Sequence, residues 1–131
     1  MRTKLIALLA GAAFATGAWS QADPDRAYNG KWAATIVAAD GKPMVSQLDL
    51  RGFAGTWSGT VGRAADGKRA CNSKKVPVTV QASNDHELSF TVWGTSIAPG
   101  CKDLTIETRP VAENTFEGTV VDVGTIRIVR R

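Results

Sequence analysis

The feature that most constrains this chain is a succession of short segments in which apolar and polar residues alternate, from about residue 30 to the last residues. A period of two is the pattern of half-buried β-strands. The sequence shows no apolar stripe of helical period and useful length, and no internal repeat. A chain that begins and ends in strands can pair the first strand with the last, which closes the sheet and removes its exposed edges.

Eight such segments can be distinguished, most of them joined by short turns such as Asp40-Gly41 and Asn84-Asp85. Residues 62–75 and 94–103 form longer connections. We therefore predict an all-β fold, a single eight-stranded antiparallel up-and-down barrel, with a two-sheet β-sandwich as the structural alternative. The residues predicted to face inward are, strand by strand, Trp32, Ala34, Ile36 and Ala38; Leu48 and Leu50; Phe53, Gly55, Trp57, Gly59 and Val61; Val76, Val78 and Val80; Leu88, Phe90 and Val92; Leu104 and Ile106; Phe116, Gly118 and Val120; and Ile126 and Ile128.

The N-terminal segment has the three parts of a secretory signal peptide. Arg2 and Lys4 give a positive start, residues 5–18 form an apolar run, and small residues precede a cut after Ala22. The apolar run is shorter than the roughly 20 residues of a membrane-spanning helix, so no membrane span is expected. We predict a periplasmic or secreted protein.

This prediction divides the chain into a signal peptide (1–22), a flexible N-terminal segment (23–29) and one β-barrel domain (30–131). Loss of two basic residues with the leader lowers the formal net charge from +4 to +2, too little to indicate nucleic acid as a partner. Cys71 and Cys101 are the only cysteines, and an even count in an oxidising compartment predicts one disulfide. Closing a loop of about 30 residues is worth roughly 3–4 kcal/mol.

Short motifs on three predicted strands resemble those of a known group of barrels. Gly30-Lys31-Trp32, with Arg127 or Arg130 on the last strand, resembles the calycin signature of lipocalins and avidins. That resemblance implies that Trp32 plugs one end of the barrel and that a basic side chain of the final strand packs over it.

The order Gly55-Thr56-Trp57, then residues 90–93, is particularly similar to avidin. Ala34 and Ala38 stand where avidins have polar ligands for biotin, so biotin binding is not expected. The chain also resembles the periplasmic inhibitors of secreted metalloproteases, which are exported barrels with one disulfide. Those proteins inhibit through an N-terminal trunk, which residues 23–25 do not match.

The residue pattern offers little for catalysis. His86 is the only histidine and lies in a predicted turn, and the sequence has no nucleophile elbow, phosphate loop or metal-ligand spacing. We therefore expect no enzyme activity, no cofactor and no metal. Basic residues cluster in the first long connection, where they could attract an anionic ligand or an acidic protein. They are Arg63, Lys68, Arg69, Lys74 and Lys75.

Two functions are compatible with these residues. In the first, the barrel binds a small, mostly apolar ligand in its lumen, lined by Phe53 and Trp57. In the second, the core is filled and the protein is an interaction module, an inhibitor or an envelope factor, that uses its loops. Trp93 breaks the alternation of its strand and is a candidate contact residue in either case. We expect a monomer.

Overall fold

The computed structural model of the protein describes residues 28–63 and 70–131, and the predicted signal peptide lies outside them. Eight antiparallel strands follow one another around a closed barrel, and the first pairs with the last. This confirms the up-and-down barrel and excludes the sandwich. The strands are β1 (Gly30–Ala38), β2 (Pro43–Arg51), β3 (Ala54–Arg63), β4 (Ala70–Ser83), β5 (Leu88–Val92), β6 (Leu104–Ala112), β7 (Thr115–Val120) and β8 (Gly124–Arg130).

The alternating residues of the sequence form the inner and outer faces of the barrel. With one exception, the large side chains predicted to face inward are buried, and Trp57, Leu88, Phe90 and Ile128 have no exposed surface. The rings of Trp57 and Phe90 lie 6.5 Å apart within the barrel. The interior formed by the described residues is therefore packed with side chains.

The exception is Phe53, whose side chain is 54% exposed. The alternation placed it on β3, but β3 begins one residue later, at Ala54. Gly52 has a φ of +65°, a conformation that glycine adopts readily, so residues 52 and 53 form the turn after β2. The prediction that Phe53 faces inward is therefore wrong, because the strand period does not extend into the turn.

The first long connection is also shorter than predicted. β3 continues to Arg63 and β4 begins at Ala70, so Cys71 and the basic pair Lys74 and Lys75 lie in a strand. The second connection contains a single 3-10 turn, Gly94–Ser96. None of the helical structure in the described part of the chain is long and apolar enough to cross a membrane.

Candidate functional site

One end of the barrel, which we call the Trp32 end, is closed by aromatic side chains. Trp32 is almost completely buried, its ring lies 5.4 Å from that of Phe116, and its Nε1 donates to the Tyr28 carbonyl at 3.0 Å. The Arg130 guanidinium carbon lies 4.2 Å from the centre of the Trp32 ring. Arg127 instead points outward, 3.3 Å from Glu117. Of the two arginines, Arg130 is the one that covers the tryptophan.

Further contacts hold this closure in place. Arg130 donates from Nε to Asn114 Oδ1 and from a terminal nitrogen to the Asn29 carbonyl, both at 2.8 Å. The Tyr28 hydroxyl donates to the Asn84 carbonyl at 2.6 Å. Burial, and secondarily the negative charge of Asp85, raises the pKa of Tyr28, so the phenol is held in its neutral, donating form.

The opposite end, which we call the disulfide end, is stapled. Cys71 and Cys101 form the predicted disulfide, with an S–S distance of 2.06 Å and a Cα–Cα distance of 5.8 Å. The bond joins the start of β4 to the connection between β5 and β6. Both cysteines are buried, and Val61 of the same β3–β4 hairpin is buried with them. The staple therefore holds the hairpin against the β5–β6 connection.

Two polar atoms inside the barrel have no partner within the described structure. They are Ser46 Oγ and Trp57 Nε1. Both residues are on the inward face, and Ser46 lies directly against Gly59, where an added Cβ would come within 2.3 Å of Oγ. The period of two predicts that Ser46 faces inward with Leu48 and Leu50. The sequence does not reveal, however, that the Ser46 hydroxyl lacks a hydrogen-bond partner. A buried polar atom without a partner is costly.

Several pockets formed by described residues open on the outside of the barrel. One of about 720 Å³ lies across β6, β7, β8 and β1, with Val37 and Val111 among its walls. A neighbouring groove of about 530 Å³ contains His86 and Glu107. The single histidine is thus at the surface, and the described residues do not assemble three metal-ligating side chains.

The remaining predicted contact residues are also on the outside, but not all together. Trp93 is 39% exposed at the end of β5. Its Nε1 donates to Thr79 Oγ1 on β4 at 2.9 Å, an anchor that the sequence pattern did not reveal. Lys74, Lys75 and Lys102 are exposed toward the disulfide end. Lys68 and Arg69 lie outside the described residues, so the predicted basic cluster is placed only in part.

Comparison with known proteins adds no relative to this description. No protein-family model, curated protein or solved structure matches the chain.

Proposed function

We propose that this protein is an exported, non-enzymatic interaction module that binds its partner on the outside of the barrel. The observation that carries the proposal is the packed interior, in which Trp57 and Phe90 have no exposed surface, beside an outer tryptophan that stays exposed. A ligand in the lumen would need space that these side chains already fill. An interaction module, such as an inhibitor or an envelope factor, needs only the outside.

Trp93 is the central contact residue in this proposal. Large aromatic side chains dominate binding energy at interfaces because they bury much apolar surface with few rotatable bonds. The hydrogen bond to Thr79 fixes the indole before any partner arrives, which lowers the entropic cost of binding. Lys74 and Lys75 flank the surface toward the disulfide end and add a positive rim.

A second candidate function is favoured by one observation. Ser46 Oγ and Trp57 Nε1 can both donate, and an enclosed ligand with an oxygen acceptor would satisfy them. This candidate requires the interior to rearrange around the ligand. It therefore predicts a bound molecule that travels with the purified protein.

Native mass spectrometry of the protein purified from its own compartment separates the two functions. We expect the mass of the chain without a bound adduct. We also expect that Trp93→Ala weakens the capture of a partner and that Val129→Ala does not. Val129 is a suitable control because it is also 39% exposed but lies on β8. A stoichiometric adduct that disappears in Trp57→Phe and persists in Trp93→Ala would replace our proposal with the lumen function.

A further inference from the structure

The outside of the barrel has two unlike sides. On β3, β4 and β5 the charged residues are Arg63, Lys74 and Lys75, all toward the disulfide end. The rest of these strands, residues 54–62, 76–83 and 88–92, contains no charged residue. Each of the other five strands carries at least one charged outward side chain, such as Glu107 on β6. We call residues 54–62, 76–83 and 88–92, on their outward side, the uncharged face.

Short polar side chains cover the uncharged face. Hydroxyls and one amide project from adjacent strands, and the cross-strand register sets Thr79 beside Thr91. A hydroxyl can donate and accept a hydrogen bond without carrying a charge, although that of Ser89 already donates to the Glu87 carboxylate at 2.6 Å. The polar residues that the face presents are Thr56, Ser58, Thr79, Gln81, Ser89 and Thr91.

An exposed aromatic residue stands on each side of β4. The Trp93 amide donates to the Pro77 carbonyl at 2.9 Å, and its indole nitrogen reaches Thr79. On the other side the Phe53 carbonyl accepts from the Val80 amide at 2.8 Å. Across β4 the backbones that carry the two aromatics are separated by two strand spacings, about 10 Å. Along β4 their partners Pro77 and Val80 are three residues, or about 10 Å, apart, so the two aromatics stand diagonally across the strand.

The tryptophan is held rigidly as well as exposed. Its carbonyl accepts from the Ser96 amide at 3.0 Å and from the Ser96 hydroxyl at 2.8 Å. The backbone amide, the backbone carbonyl and the indole nitrogen of Trp93 all form hydrogen bonds. The ring therefore keeps one orientation. A fixed aromatic surface loses little conformational entropy when a ligand packs on it.

A rigid indole beside uncharged hydroxyls suits a neutral sugar polymer. The C–H face of a pyranose ring packs on an aromatic ring, and its hydroxyls exchange hydrogen bonds with side chains that both donate and accept. A charged protein surface would find no ion pairs on this face and would have to be desolvated without compensation. The uncharged face therefore suits a partner that carries no charge.

We propose that the uncharged face binds a neutral polysaccharide, with Trp93 as the stacking platform and Phe53 as a second contact along the chain. This inference rests on the proposed function, because it names the class of partner that the outside of the barrel recognises. Thr79 is a positioning residue, since it orients the indole.

Binding is tested with soluble neutral glucans, mannans and galactomannans, and with anionic polysaccharides as the comparison. We expect the full chain to bind at least one neutral polymer, with affinity unchanged between about 0.05 M and about 0.5 M sodium chloride. Trp93→Ala should weaken binding by roughly 30-fold. Trp93→Phe should weaken it less, because a ring remains. Val129→Ala should leave it unchanged.

Thr79→Val separates positioning from contact. It removes the oxygen that accepts from the indole and keeps the shape of the side chain, so affinity should fall while a larger share of the Trp93 fluorescence becomes accessible to a neutral quencher. Circular dichroism of each variant checks that the barrel remains folded.

Three results would overturn the inference. They are binding to none of the polymers, binding only to anionic polymers with an affinity that falls as salt rises, and sugar binding unaffected by both Trp93 variants. A different result would overturn the proposed function, namely a ligand bound in the lumen and seen as an adduct in the mass spectrum. Trp93-dependent capture of a protein without sugar binding would leave the function standing and remove the polysaccharide.

Discussion

Replacing Ser46 with alanine should make the barrel more stable, although Ser46 is a polar residue in its interior. The side chain is 2% exposed, and its Oγ has no hydrogen-bond partner within the described structure. A buried hydroxyl without a partner costs about 1–3 kcal/mol. Alanine removes that cost and leaves a void of one oxygen atom, which costs less than about 0.5 kcal/mol at about 24 cal/mol per Å³. The expected net gain in the free energy of unfolding is about 1 kcal/mol.

Thr108→Val is the matched control for this substitution. Thr108 is also buried, at 5% exposed, but its Oγ1 donates to the Leu88 carbonyl at 2.8 Å. Valine keeps the shape and removes the hydrogen bond, leaving that carbonyl with one partner fewer. We expect a loss of about 1 kcal/mol. The two changes should therefore have opposite signs, although each removes one buried hydroxyl.

Urea unfolding measures both variants. The slope of the free energy of unfolding against urea concentration should match that of the parent protein, so that a shifted midpoint reports a change in stability alone. For a domain of this size, a gain of 1 kcal/mol also raises the thermal midpoint by about 4 °C or somewhat more. If Ser46→Ala instead loses stability as Thr108→Val does, the Ser46 hydroxyl has a partner in the interior. The interior would then hold more than packed side chains.

Three further predictions concern the two ends of the barrel. Arg130→Ala should lower the free energy of unfolding by about 1–2 kcal/mol, because it removes a contact with an aromatic face and two hydrogen bonds, whereas Arg127→Ala should change it by less than about 0.5 kcal/mol. Equal losses in urea would contradict the assignment of Arg130 as the closing residue. Replacing Cys71 and Cys101 together with alanine should cost roughly 3–4 kcal/mol, measured in the same way without reductant, and a loss below about 1 kcal/mol would show that the staple constrains little. Tyr28 is the only tyrosine, so its ionisation can be followed by ultraviolet absorbance. Because its pKa is raised in the folded state, stability should be unaffected below the unfolded value of about 10 and should fall as pH rises through the folded pKa. Tyr28→Phe should remove that part of the decline, and a phenol that ionises at its ordinary pKa would refute the effect.

The fold could be predicted from the sequence because the alternation is strong and almost continuous. Val76, Val78 and Val80, for example, are buried on β4 as the period of two requires. Barrel closure followed from the strand-like first and last segments, and Trp32 pairs with Arg130 in the register of β1 and β8. The ends of the strands were less predictable, because residues 62, 63 and 70–75 extend as a hairpin stapled by the disulfide.

The candidate site could not be predicted to the same extent, and the two exposed aromatics show why. The period of two predicts that Phe53 faces inward with Gly55 and Trp57, but Phe53 is exposed. It predicts that Trp93 faces outward, opposite to Phe90 and Val92, and Trp93 is exposed. Alternation assigns a side only inside a strand, and both residues lie just beyond one. What distinguishes Trp93 is its hydrogen bond to Thr79, a residue on the neighbouring strand and 14 positions earlier in the chain. Pairs of this kind depend on register, which a single sequence does not specify, and the site became visible only when the strands were paired.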